Sequence, residues 1–352
     1  MVDKAVTENR KREHIETVLG SDVTAKGVTT GFDRFFFEHV ALPELSLDDV
    51  YLSCELFGKR LCAPLLISSM TGGAARARDI NLRLAEAAQS LGIAMGLGSQ
   101  RAALERGELA DTYSVRSVAP DILLFANVGA VQLNYGYGAD EVRRAVDMIE
   151  ANAVFLHLNS LQEAVQVEGD RDWRGLLGKI EALIPKIEVP VVVKEVGNGI
   201  SASLVRRLAD MGVAAVDIAG AGGTSWCEVE AHRQSDPSVR RIAHSFAGWG
   251  IPTALALMEA RQLVPDLPIF ASGGLRDGID MAKALRLGAS LCGVAAPVLR
   301  VATDSTDAVG ERMAEFIEEL RIAAFSTGSA DITSLRSAIL RRTDDWSVVG
   351  SV

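Results

Sequence analysis

The chain has 352 residues, 48% hydrophobic and 23% charged, enough apolar material for a packed core, which excludes a disordered or low-complexity chain. Lys and Arg total 36 against 46 Asp and Glu, and the net charge of -10 repels nucleic acid and anionic membranes, so an anionic ligand needs a local basic site. Cys54, Cys62, Cys227 and Cys292 lack metal-type spacing and are too sparse for a disulfide scaffold; with a polar N-terminus and only strand-length apolar runs, they point to a soluble cytoplasmic protein.

Residues 1–62 read as an N-terminal arm and a barrel-bottom hairpin. They hold a charged helix over 10–19, an aromatic patch (Phe32, Phe35, Phe36, Phe37) and a hairpin over 51–62 that turns at Phe57, Gly58 and Lys59. From residue 63, short β-branched runs alternate with helical patterns, the signature of repeated βα units. Strands are predicted at 64–70, 93–99, 121–128, 153–159, 190–196, 214–218, 268–272 and 290–295. Helices are predicted at 77–91, with Leu82, Ala85 and Ala88 at helical spacing, and at 279–287, which Gly288 stops. Eight repeats predict an α/β fold, a closed (β/α)8 TIM barrel over 63–352 that ends in C-terminal helices. An open doubly wound sheet would carry fewer strands and a Gly-rich turn after the first. The second repeat is the least periodic, and a long loop over 221–250, rich in Gly, Ser, His and Trp, follows strand six.

In such a barrel the carboxyl ends of the strands face the active site. Polar residues gather just past each apolar run. Gly273 and Gly274 after strand seven, the stretch 293–296 after strand eight, and Gly220, Gly222 and Gly223 after strand six suit a phosphate, because small residues let backbone N–H groups approach an anion; Arg276 adds charge. Lys194 ends a Val-Val-Val strand and needs an anion or an electron-rich ring edge; a salt bridge with Glu195 or Asp217 is the other reading. His157 and Asn159 share a strand face, followed by Gln162 and Glu163, a lone carboxylate of the kind that suits Mg²⁺. Arg10, Lys11, Arg12 and His14 form a basic knot, and Cys227 has no activating neighbour in the sequence.

Taken together, Arg10-Lys11-x-x-His14, Met70-Thr71-Gly72-Gly73, Gly98-Ser99-Gln100-Arg101, His157-x-Asn159-x-x-Gln162-Glu163, Lys194-Glu195-x-Gly197, Asp217-x-x-Gly220-x-Gly222-Gly223-Thr224 and Ser272-Gly273-Gly274-x-Arg276 resemble the type 2, FMN-dependent isopentenyl diphosphate isomerases over nearly the whole chain. The resemblance implies FMN held by Ser69, Met70, Thr71, Ser99, Asn127, Lys194 and Thr224, with Gly274, Leu275, Arg276, Ala295 and Ala296 around its phosphate. It implies a substrate diphosphate bound by Arg10, Lys11, Ser99, Gln100, Arg101, His157, Asn159 and Gln162, with Mg²⁺ on Glu163. Catalytic roles fall to Gln162, Lys194 and His157. The implied reaction is a 1,3-allylic proton shift on reduced FMN, with NADPH as reductant, in a homo-oligomer (tetramer or octamer). An FMN-dependent 2-hydroxy-acid oxidase or dehydrogenase on the same barrel is the alternative enzyme, and a phosphate-ligand-binding barrel the non-enzymatic one.

Overall fold

The computed structural model describes residues 4–350, with side chains from residue 11 onward except that of Ala75. Short strands β1 (Phe35–Phe37), β2 (Cys54–Leu56) and β3 (Lys59–Leu61) precede the barrel. The barrel consists of β4 (Leu65–Ile67), β5 (Ala94–Gly96), β6 (Leu124–Gly129), β7 (Ala153–His157), β8 (Val191–Lys194), β9 (Ala215–Asp217), β10 (Ile269–Ala271) and β11 (Leu291–Val294). These eight pair in parallel in chain order, and β11 closes on β4 with Cys292 opposite Leu65. All eight predicted strands are present.

Side-chain alternation along the strands divides the apolar residues between two cores. Leu66, Ala94, Phe125, Phe155, Val192, Ala215, Phe270 and Leu291 point inward and pack with one another. Their neighbours, such as Leu65, Met95, Leu124, Val154, Val193 and Val216, point outward against the helices. Inside, Phe125 stacks on Phe155 at 4.4 Å, and Phe270 meets Phe125 edge-on at 6.0 Å. The β2–β3 hairpin closes the bottom: Leu56, Leu61 and Phe57 join this inner cluster. Its two turn residues, Phe57 and Gly58, have φ of 50° and 71°, the positive values that tight hairpin turns demand.

Three segments differ from the sequence-based expectation. The Phe35–Phe37 run, read in the sequence only as an aromatic patch, is a strand paired antiparallel with β12 (Leu340–Arg342). The stretch after β9 is not an irregular loop but two helices, Trp226–Arg233 and Pro237–Ser245. Their starts are marked by Ser225, which accepts the Glu228 N–H, and by Asp236 before Pro237. After β5, the short helix Arg101–Glu105 and the 3-10 segment Gly107–Thr112 replace a full barrel helix. Helices Ala75–Leu91 and Gly278–Arg286 lie within two residues of their predicted bounds. Among the described residues no helix is long and apolar enough to cross a membrane.

Candidate active site

The inward positions that hold Phe125, Phe155 and Val192 continue two residues further to Asn127, His157 and Lys194; on the neighbouring strands they continue to Asp217, Ser272, Gly293 and Ser68. The barrel interior thus changes from apolar to polar in one step, and this layer, with Asp217 buried beneath its surface, floors a cavity of about 460 Å³ at the carboxyl ends of the strands. Lys194 is buried and donates to the Glu195 carbonyl at 2.8 Å. Burial lowers its pKa, and the charges of Asp217 and Glu195 oppose that loss. Asp217 is fully buried; one carboxylate oxygen accepts the Ser272 hydroxyl at 2.6 Å while the other has no partner. Burial pushes its carboxyl up, against the pull of Lys194 and Ser272.

His157 Nδ1 lies 2.8 Å from Asn127 Oδ1, and the Asn127 amide donates to the Leu97 carbonyl at 3.0 Å. The amide is therefore oriented, Nδ1 carries the proton, and Nε2 presents a lone pair. Burial, then the charges of Lys194 and Lys11, push His157 down to about 3. Unfolded, it titrates near its ordinary 6.5, so the unfolded chain binds the extra proton first: this contribution to stability is complete above 6.5 and is lost as pH falls toward 3. At pH 5 the loss is roughly 2 kcal/mol at about 1.4 kcal/mol per pKa unit. Between pH 7 and 5, wild type should lose that much more stability in urea titrations than His157→Asn; equal losses would show that His157 is not held neutral.

One wall is bare backbone. Gly274 has φ of 82°, and a Cβ there would lie 2.7 Å from the Gly223 nitrogen and 2.6 Å from Thr30 Cγ2. The loops after β9 and β10 thus touch backbone to backbone, and the need for glycine is packing between loops as much as access for an anion. Thr224, Leu275, Arg276, Ala295 and Ala296 complete this side, while Ser69, Met70 and Thr71 line the cavity from the end of β4. The hydroxyls of Ser68 and Ser69 are buried without a partner.

The opposite wall is cationic and amide-rich. Lys11, on helix Lys4–Gly20, donates to the Ser99 carbonyl at 3.1 Å and to Tyr113 Oη at 2.7 Å; that hydroxyl in turn donates to the Ser99 carbonyl at 2.7 Å. The Gln162 amide is fixed at both ends, accepting from Asn159 at 3.2 Å and donating to Glu230 at 3.1 Å. Glu230, fully buried, also pairs with His14 at 2.9 Å and Arg233 at 2.5 Å. Burial works to raise its pKa, but His14, Arg233 and Gln162 outweigh it and hold the carboxyl below its ordinary range. Glu163 accepts from Asn159 at 2.8 Å and from the Asp170 N–H at 2.7 Å. Ile15, Val18 and Trp226 give the cavity an apolar side.

One sequence expectation changes. Gln100 does not reach the cavity: β5 ends at Gly96, and the loop that follows turns Ser99 and Arg101 toward the cavity, while the buried Gln100 amide donates to the Ala145 carbonyl and accepts the Asn127 N–H, fastening the loop. Cys227 is unactivated, as the sequence implied: it is buried, and burial with nearby Glu228, Glu230 and Glu195 pushes its thiol up to about 12. The Arg10 side chain lies outside the described residues. Glu230, Tyr113 and Trp226 were not among the expected site residues.

The family model for FMN-dependent dehydrogenases matches residues 4–111 and 142–342. The chain is 59% identical over 329 residues to an isopentenyl-diphosphate delta-isomerase of Synechocystis sp., covering 94% of each chain. It is 55% identical over 346 residues to the enzyme of that name from Cronobacter sakazakii, covering 98% and 99%. Among solved structures, a mandelate oxidase mutant with a C4a-OH-FMN adduct superposes with a TM-score of 0.65 at 19% identity over 96% of this chain and 99% of that one. A flavocytochrome b2 mutant with pyruvate bound gives a TM-score of 0.67 at 19% identity over 93% and 82%. At that identity these structures establish the barrel fold alone. With relatives above half identity across almost its full length, the chain belongs to the FMN-dependent dehydrogenase family and, within it, to the type 2 isopentenyl-diphosphate delta-isomerases.

Proposed function

We propose that this protein interconverts isopentenyl and dimethylallyl diphosphate by a 1,3-allylic proton shift, with FMN in the glycine-lined half of the cavity and the Mg²⁺-bound substrate diphosphate in the cationic half. NADPH as reductant, a homo-oligomeric assembly and a cytoplasmic location belong to the same proposal. The observation that carries it is one cavity, in an acidic chain, that gathers Lys11, Arg101 and Lys194 around uncommitted buried hydroxyls. FMN fits the residues present: Ser69 offers a hydroxyl with no partner, Lys194 a buried cation, and the loops around Gly223 and Gly274 bare backbone. Ser69, Met70, Thr71, Ser99, Asn127, Lys194 and Thr224 would hold the ring and its chain; Gly274, Leu275, Arg276, Ala295 and Ala296 would surround the phosphate. Mg²⁺ fits less completely on protein atoms alone. Among the described residues no cluster of three acidic, His or Cys side chains is set for a metal, so Glu163 would supply one ligand and the diphosphate and water the others.

Protonating an unactivated alkene develops tertiary carbocation character, which needs a positioned acid and a neighbour that stabilises charge. Bound and reduced, FMN supplies a proton donor and acceptor beside an electron-rich ring, with no net redox change. Lys194 holds negative charge on its side of the cavity. Gln162 orients: Asn159 and Glu230 fix its amide, leaving its second N–H for the reacting end, and an amide does not titrate near neutrality. Lys11, Arg101 and Asn159 grip the diphosphate. His157 joins them by taking a second proton, which the ligand's negative charge favours. Ile15, Val18 and Trp226 receive the hydrocarbon and keep water out.

The isomerase reading is favoured over the hydroxy-acid oxidase one because relatives at 55–59% identity over almost the full length carry the isomerase name, whereas the mandelate oxidase and flavocytochrome b2 structures are only 19% identical. Counting turnovers separates the two. Many molecules of dimethylallyl diphosphate per NADPH consumed are expected; stoichiometric consumption, or turnover of lactate or mandelate instead, would overturn the proposal. The metal is tested by Glu163→Gln, which keeps shape and loses charge. The Mg²⁺ concentration for half-maximal rate should rise at least about tenfold, as loss of a hard anionic ligand implies, with FMN affinity unchanged. An unaltered Mg²⁺ dependence would place the metal elsewhere.

A further inference from the structure

We propose that Asp170 is the positioning residue that assembles the diphosphate half of the cavity, a role that rests on reading that half as a phosphate and Mg²⁺ site. Asp170 follows the short helix Ser160–Val165 and meets residues from three successive strand ends. Its Oδ2 accepts Arg101 Nη1 at 2.6 Å and Gln132 Nε2 at 2.9 Å, while its backbone N–H donates to Glu163 Oε2 at 2.7 Å. Arg101, Gln132 and Glu163 come from the loops after β5, β6 and β7, and all three line the cavity.

The approach of Asp170 is fixed from below. A Cβ on Gly169 would lie 1.9 Å from the Glu163 carbonyl oxygen, so the loop rests directly on the backbone of the residue it orients. The Asp170 carbonyl accepts Trp173 Nε1 at 3.0 Å, which holds the loop from its other side. Glu105 takes Arg101 Nε at 2.8 Å, so two carboxylates grip the guanidinium and leave its other N–H groups for a ligand. The same corner holds two buried polar atoms with no partner, Asn159 Oδ1 and Gln166 Nε2, as expected where a polar ligand is to arrive.

A carboxylate among phosphate-binding groups repels the ligand through its charge, so its presence has to be explained by what it orders. Asp170 holds a long, rotamer-rich arginine in one geometry before the ligand binds, and its N–H aims the metal carboxylate. Asp170 acts through Arg101 and Glu163 and needs no contact with substrate. Its removal should therefore raise KM with little change in kcat.

The test uses FMN-loaded protein and inorganic diphosphate with Mg²⁺, titrated by calorimetry. Asp170→Ala should weaken diphosphate binding at least tenfold, while the half-saturating Mg²⁺ concentration stays within about threefold, because the backbone N–H to Glu163 is kept. FMN occupancy should stay unchanged, and kcat should stay within about threefold while KM rises. Asp170→Asn, which keeps an acceptor for Arg101 and Gln132, should recover most of the affinity. Unchanged or tighter binding by Asp170→Ala would overturn the proposal, tighter binding marking Asp170 as a competitor for Arg101. If Asp170→Ala does not fold, Asp170→Ser, too short to reach Arg101, gives the same readout with the same outcomes. A wild-type protein that holds FMN but ignores diphosphate would strike the phosphate-site reading itself, and this role with it.

Discussion

Gly274→Val should fold and purify colourless, with FMN occupancy under about a tenth of wild type. Gly274 sits at φ of 82°, where a β-branched residue is strained, and its Cβ would collide with the Gly223 nitrogen and Thr30 Cγ2. Relief requires the two glycine loops to separate, which opens the wall proposed to face the cofactor phosphate. The strain costs on the order of 1–3 kcal/mol in a barrel whose core lies elsewhere, so the fold should survive. The ratio of absorbance at the flavin band to that of the protein reads occupancy, and thermal melting reads the fold. A fully yellow Gly274→Val protein would mean that these loops do not hold the phosphate.

Lys194→Met, assayed at saturating FMN, should lose about two to three orders of magnitude in kcat, the range found when one electrostatic contact to developing charge is removed. Methionine matches the lysine stem in length, but removing the cation leaves the buried Asp217 carboxyl without its charge partner, so melting temperature should fall while the protein still folds. The Asp217 carboxyl, already pushed up by burial, loses its cationic neighbour and is pushed further up. If kcat stays within tenfold of wild type, Lys194 is the structural salt-bridge partner that its neighbours Glu195 and Asp217 also allow.

The sequence carried the barrel because each strand alternates between two burial environments, a local signal repeated eight times. It carried most of the site for the same reason, since continuing the inward positions past Phe155 and Val192 leads to His157 and Lys194. Gln100 shows the limit of reading a motif as a block: the loop after β5 turns it to the Ala145 carbonyl, away from the cavity that Ser99 and Arg101 line. Glu230 and Trp226 were hidden inside a segment read as a loop, where the start signals at Ser225 and Asp236 could have shown helices. Tyr113 reaches Lys11 across 102 positions of sequence, and nothing local marks such a contact. The β1–β12 pairing joins the two ends of the chain and is equally invisible to a local pattern.

The most direct test of the central claim follows isopentenyl diphosphate by proton NMR in heavy water, with protein, FMN, Mg²⁺ and a catalytic amount of NADPH. An allylic proton shift through a solvent-exchangeable donor and acceptor predicts dimethylallyl diphosphate that carries deuterium in the new methyl group. It also predicts deuterium entering recovered isopentenyl diphosphate at C2, with both signals absent when FMN stays oxidised. Product that forms without deuterium, or equally fast with oxidised flavin, would contradict proton transfer on reduced FMN in this cavity.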